Sequence, residues 1–310
     1  MRKLKLKSDT KRLKFFLNDG IWQINHDELT KAKRRAVKYL KVVLITMRTF
    51  SAEKIGFQAV ALSFFCTMSI VPIIAVAFAV TGGFGLADKL KELLYQNFSN
   101  SQETIDMILG FADNIINTAQ SSTMGLLSAL LFLWVIIWMM MSVERVFNNV
   151  WMVHQSRNIF KRLSIYFAML VIAPFVLMIF LSGSFIFDSL LDFIGLNVES
   201  FSAFKTLLTW ILSGAVATLT FSAMYKFIPN AEVDYPNALR AAIYSGFAFT
   251  LVQYLYTETQ VFVSRLDAVY GAFAAIPLYM VWLNIGWNII LIGAELSYAF
   301  QHVDSYNIED

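Results

Sequence analysis

From Phe273 to Tyr298 the chain holds an apolar run of membrane-spanning length that carries Asn284, Asn288 and Glu295. At about 100° per residue these three fall within roughly 40° of one another on a helix, so a single polar line runs down an apolar cylinder. Polar groups in hydrocarbon are costly, and they face a bundle interior or a water-filled cavity. The segment therefore implies an integral membrane protein and marks where a function would sit.

The composition agrees. Hydrophobic residues make up 57% of the chain and charged ones only 15%, where soluble domains carry about 25%. Five prolines and fourteen glycines in 310 residues leave little room for a long flexible linker. The single cysteine, Cys66, lies in an apolar segment, which excludes an intrachain disulfide. The basic N-terminus is followed by more charge and no apolar core, unlike a cleaved signal peptide.

Six runs have the length and apolarity of spans: Ala59 to Thr81, Met124 to Val143, Ile165 to Phe187, Leu207 to Ile228, Leu239 to Phe262, and Phe273 to Tyr298. A strand edge left unpaired in lipid is untenable, so the spans are helices. The expected fold is all-α: a basic arm over residues 1–58, a six-helix transmembrane domain over 59–298, and a tail over 299–310. Fifteen of the twenty-five basic residues precede position 59, and the connection after the second span adds Arg145, Arg157, Lys161 and Arg162. Basic residues favour the cytoplasmic side, which places both termini there.

Two non-spanning regions are amphipathic. From Lys31 to Phe50, Val37, Leu40, Val43, Leu44 and Met47 form an apolar face, and Lys33, Arg34, Arg35 and Lys38 supply charge. That pattern suits a helix on the inner leaflet, with anionic lipid as its partner rather than a specific nucleic acid. Between the first two spans, Leu90, Leu93 and Leu94, then Ile105, Ile108, Phe111, Ile115 and Ile116, predict two outer helices. These either cap a cavity or rest in the interface.

The fifth span carries Gly246, Thr250, Gln253 and Thr257 on one face, and its short turn to the sixth makes the two antiparallel neighbours. Thr250, Gln253, Asn284, Asn288 and Glu295 are thus candidates for a substrate path. The alternative is hydrogen bonding that only holds the helices together. Pro72 and Pro174 interrupt two spans. Glu144, Arg145, Asn148 and Asn149 close the second span, where i, i+4 pairing would fix its end, while Arg265, Asp267 and Tyr270 crowd the outer turn before the sixth.

Catalytic chemistry finds little material. The three histidines, His26, His154 and His302, stand far apart, and no HExxH, P-loop, GxSxG or CxxC pattern occurs. No enzymatic activity, metal or cofactor is expected.

Three blocks carry a family resemblance: ALSFFCTMSIVPIIAV (Ala61 to Val76), PNAEVDYPNALRAA (Pro229 to Ala242) and YGAFAAIPLYMVWLNIGWNIILIGAEL (Tyr270 to Leu296). Together they resemble the YihY/BrkB family of bacterial inner-membrane proteins, over nearly the whole chain from Phe50 onward. The resemblance implies six spans with cytoplasmic termini. The family has been labelled ribonuclease BN and linked to virulence and envelope functions, but it offers no established catalytic residues to carry over. Pro229, Asn230, Tyr270, Gly271 and Glu295 match its blocks. Transport or export of an envelope lipid or small solute is the leading expectation, and a non-transporting membrane scaffold the alternative.

Overall fold

A computed structural model describes residues 20–22, 30–97, 102–121, 123–153, 155, 157–182, 202–263 and 275–306. Among them no strand occurs, and nine helices follow in order: α1 (Lys31–Ala52), α2 (Ile55–Gly83), α3 (Ala87–Asn97), α4 (Gln102–Ser121), α5 (Thr123–Val150), α6 (Ile159–Leu181), α7 (Ser202–Phe227), α8 (Tyr235–Val263) and α9 (Ala275–His302). The predicted spans coincide with α2 and α5 to α9. Among the described residues, four helices are long and apolar enough to cross a membrane: Ile55–Gly83, Leu130–Val150, Ile159–Ile179 and Tyr279–His302, with mean hydropathies of 2.3, 1.9, 2.1 and 1.3. α7 and α8 stand outside that set, although they are 26 and 29 residues long. In α8 the polar Asn237, Arg240, Thr250 and Gln253 dilute the apolar run. Both still expose large apolar side chains, Ile211 and Leu219 on α7 and Ile243, Phe247, Leu251 and Leu255 on α8. Such rows are what an apolar solvent accepts and water does not.

α2 is the central strut, in contact with α4, α5, α6 and α9, while α9 also meets α8, α1 and α5. Pro72 and Pro174 lie buried inside continuous helices. The turns have local causes. α2 ends with Gly85 at φ 72°, where Gly85 N–H donates to the Gly82 carbonyl at 3.0 Å and Leu86 N–H to the Thr81 carbonyl at 2.8 Å. This is the paired closure that left-handed backbone permits at a helix C-terminus. α5 ends the same way with Met152 at φ 52°, Met152 N–H reaching the Asn149 carbonyl and Val153 N–H the Asn148 carbonyl. Lys54, at φ 50°, makes the corner between α1 and α2. In the predicted outer hairpin of α3 and α4, Leu90, Leu93, Ile105 and Leu109 turn inward, and both helices dock on the bundle. Tyr95 donates to the Asp106 carboxylate, which holds the Tyr95 phenol above its usual range.

The main core lies at the end of the bundle where α2 begins and α5 and α9 finish. Ile55, Ala59, Leu62, Phe147, Val150, Tyr225, Ala238, Ala241, Ala242, Leu291 and Ala294 meet there. α1 packs antiparallel to the last turns of α9: Thr49 meets Glu295, Val42 and Ile45 cluster with Ala299 and Val303, and Lys38 reaches Asp304. The face that α1 buries is therefore Lys41, Val42, Ile45, Thr46 and Thr49. Leu40, Val43 and Met47, expected to seek an apolar surface, remain exposed. α1 thus has two apolar sides, one for α9 and one still open.

Candidate functional site

The polar line of α9 holds together in three dimensions. Asn288 donates through Nδ2 to the Asn284 carbonyl at 2.8 Å and to Asn284 Oδ1 at 3.2 Å. Asn284 Nδ2 is buried and without a partner. The line faces α2 and α1. A Cβ added to Gly56 of α2 would lie 3.9 Å from Asn288 Oδ1, and the adjacent Trp287 donates from Nε1 to Cys66 Sγ of α2 at 3.3 Å. At about 100° per residue the line also borders the side of α9 that exposes Val281, Ile285 and Ile292.

Glu295 ends the line. It is 0% exposed although its helix closes only two turns later. Thr49 Oγ1 of α1 donates to its Oε2 at 2.6 Å, and its Oε1 is buried without a partner. α1 lies over the carboxyl and shuts it off from water at the membrane edge. Thr49, the residue that holds Glu295, gave no sequence signal beyond its place in the amphipathic helix.

Thr250 and Gln253 do not complete this line, because the side of α9 turned to α8 is a different one. Gly286 of α9 lies against Phe249 of α8, and Gly293 against Ser245 and Tyr225, so α8 sits well round the α9 axis from Asn284. Thr250 Oγ1 donates to the Gly246 carbonyl at 2.9 Å and sits 3.7 Å from where a Cβ on Gly214 of α7 would stand. It belongs to the α7–α8 seam. Gln253 falls between the directions of α7 and α9. Equal depth, which sequence could give, did not mean a shared face.

The rim blocks separate. Arg265, Asp267, Tyr270 and Gly271 lie outside the described residues. Pro229 and Asn230 form a clasp between two connections: Asn230 N–H donates to Asn148 Oδ1 at 2.7 Å and Asn230 Nδ2 to the Gln155 carbonyl at 3.0 Å, while Arg157 donates to Asn230 Oδ1, the Pro229 carbonyl and the Phe227 carbonyl. Glu144, only 1% exposed, accepts from Tyr166 at 2.6 Å and pairs with Arg162 at 3.2 Å. Pairing across helices replaces the i, i+4 contacts expected for this group, since Asn149 too reaches Gln58 of α2.

On α1, Lys33, Arg34, Arg35 and Lys38 are exposed, Lys38 meeting Asp304 at 2.6 Å. Lys41 is buried over the Trp22 ring, 5.5 Å from its centroid. That burial lowers the Lys41 pKa against the opposing pull of Asp304. Among the described residues no cluster of His, Cys, Asp or Glu could hold a metal ion.

Residues 46–310 match the family model described as Virulence factor BrkB. Among curated relatives, a UPF0761 membrane protein of Acinetobacter baylyi is 28% identical over 87% of this chain and 64% of its own length. One of Haemophilus influenzae is 26% identical over 84% of this chain and 95% of its own. The chain spans 64% and 45% of the lengths of the first two relatives it matches, the second from Psychrobacter. No solved structure matches the chain.

Proposed function

Since the chain belongs to the virulence factor BrkB family, and its relatives are membrane proteins by name, we propose that it moves an envelope lipid or small polar solute across the bacterial cytoplasmic membrane. Both termini face the cytoplasm, and the protein works as a carrier rather than an enzyme. The observation that carries this is the α9 line. Asn284 and Glu295 each keep a buried polar atom without a partner, and polar groups that only fasten helices together would find partners. The line borders the membrane-facing side of α9, so a lipid headgroup or solute could reach it sideways and travel toward Glu295.

The basic end of α1 binds anionic headgroups through Lys33, Arg34, Arg35 and Lys38, with Leu40, Val43 and Met47 entering the apolar layer. Each basic residue near such a surface contributes about 1 kcal/mol, screened by salt. A scaffold reading draws on the same exposed arm, together with the clasp at Asn230.

Reconstitution into liposomes with a panel of labelled envelope lipids and solutes tests the proposal. Wild type should move at least one, and Asn288→Leu should slow it by roughly tenfold, about 1.4 kcal/mol of barrier. In a Cys66→Ser background an impermeant thiol reagent should label Asn288→Cys but not the membrane-facing Ile285→Cys. No movement of any probe, and no labelling at position 288, would leave the scaffold.

A further inference from the structure

We propose that Glu295 is an exchangeable proton site: the carboxyl holds a proton while α1 is seated on α9 and releases it to the aqueous phase when α1 moves away. This deepens the transport reading and rests on it for the use to which the proton is put.

The geometry at Thr49 points to this. A threonine hydroxyl has one hydrogen, yet Thr49 Oγ1 has two good acceptors, Glu295 Oε2 at 2.6 Å and the Ile45 carbonyl of its own helix at 2.9 Å. With a proton on Oε2 both contacts are satisfied at once: Glu295 donates to Thr49, and Thr49 turns its hydrogen to Ile45. With an ionised carboxylate a full charge would sit in a 0% exposed position on a single hydrogen bond, its Oε1 bare. Burying an uncompensated carboxylate is far costlier than burying a neutral carboxyl.

Among the described residues no counter-ion relieves that cost. The described ion pairs are Lys38 with Asp304, Lys89 with Glu92 and Arg162 with Glu144. On α1, Lys41 and Arg48 lie over Trp22, and Glu53, the charge that bears on Glu295, is another carboxylate. The turns of α2 beside it, Ile55 to Leu62, carry no titratable residue. On the remaining neighbours of α9, Glu144 of α5 is occupied by Arg162 and Tyr166, Tyr225 of α7 by Ser245, and Tyr244 of α8 stacks on Phe300.

The path for the proton is α1 itself. Its corner at Lys54 is a left-handed residue, and among the described residues its hold on α9 is one small apolar cluster, one hydrogen bond, one exposed ion pair and the edge contact of Tyr39 with Phe300. Lifting α1 uncovers Glu295 to water; the O–H bond breaks, and the proton leaves to solvent on that side.

Infrared spectroscopy of the full chain in lipid nanodiscs tests this without any transported ligand. Wild type at neutral pH should show a protonated-carboxyl C=O band that Glu295→Gln removes and Glu144→Gln does not. Thr49→Val should shift that band by removing its hydrogen-bond partner. Crosslinking Lys38→Cys to Asp304→Cys in a Cys66→Ser background should slow deuterium exchange of the band by about tenfold, because exchange then requires an opening the crosslink forbids. A spectrum in which Glu295→Gln removes no band overturns the proton site, and undiminished exchange in the crosslinked protein overturns the role of α1. A band present in a protein that moves nothing in liposomes supports the proton site and removes the transport reading; transport without the band does the opposite.

Discussion

The two ends of α7, α8 and α9 are built from different residues. Where α7 and α9 finish and α8 begins, small side chains meet: Ala238, Ala241, Ala242 and Ser245 of α8 lie with Gly293 and Ala294 of α9, all buried. Toward the opposite end no described side chain of α7 before Ala217, of α8 after Gly246, or of α9 before Gly286 is buried. Rings fill that end instead, with Trp210 against Tyr254 at 4.7 Å and Tyr256 against Trp282 at 5.2 Å. Small residues let backbones approach closely in lipid, where apolar burial gives helices little reason to associate; rings hold them apart. One end is an anchor and the other is open to change. The polar line of α9 crosses from the open end, at Asn284, to the anchored end, at Glu295.

The strongest test of the anchored end removes the partner of a buried charge. Arg162→Met would leave Glu144, 1% exposed, with Tyr166 as its remaining support. Breaking such a pair from one side costs about 3 to 5 kcal/mol. Thermal unfolding in detergent should show a large loss, and Glu144→Gln combined with Arg162→Met should recover part of it, since the stranded charge is then gone. A loss below about 1 kcal/mol for the single change would mean that this end is hydrated, and the contrast with the open end would fail.

Next in size is a contrast between two glycines. At Gly293 an added Cβ would stand 2.0 Å from Tyr225 Oη and 2.7 Å from Ser245 Oγ; at Gly214 the nearest atom, Thr250 Oγ1, would be 3.7 Å away. Gly293→Ala must displace the buried Tyr225–Ser245 pair, which bonds at 2.7 Å, and overpacking of this kind costs about 1 to 3 kcal/mol. Gly214→Ala sits in ordinary van der Waals room inside a helix, where alanine is preferred by about 1 kcal/mol. The first should lower the unfolding temperature and the second leave it equal or higher. Equal losses at both would show the two ends packed alike.

The helices were legible in the sequence but this contrast between their ends was not, and that has a physical reason. Apolar length located the helices, because lipid demands it of every span, and the amphipathic α3 and α4 appeared where apolar residues at helical spacing placed them, although Phe111 of the expected α4 face is exposed. Which face meets which helix was not legible. Thr250 and Asn284 share a depth, but rotation about each axis is set by close packing at Gly246 and Gly293, which a hydropathy pattern does not encode. The apolar face assigned to α1 from Val37, Leu40, Val43, Leu44 and Met47 was real as a pattern, yet α9 took the neighbouring face with Val42, Ile45 and Thr49. Clasps such as Arg157 with Asn230 join residues 73 apart, and no local spacing announces them.

The smallest effect concerns the edge of the anchored end, where α1 joins it. Lys38 and Asp304 meet at 2.6 Å with side chains 45% and 74% exposed, so the pair should contribute only about 0.2 to 1 kcal/mol and weaken with salt. Lys38→Met should therefore leave global unfolding nearly unchanged. Its effect should appear locally, as faster amide exchange in the first turns of α1, since nearly every residue there from Lys31 to Leu40 is exposed, with Tyr39 alone making an edge contact to the Phe300 ring among the described ring pairs. Raising the salt should give wild type the same local exchange and remove the difference. If Lys38→Met instead lowered stability as much as Arg162→Met, α1 would belong to the anchored core, and its movement off Glu295 would cost too much to serve as a release.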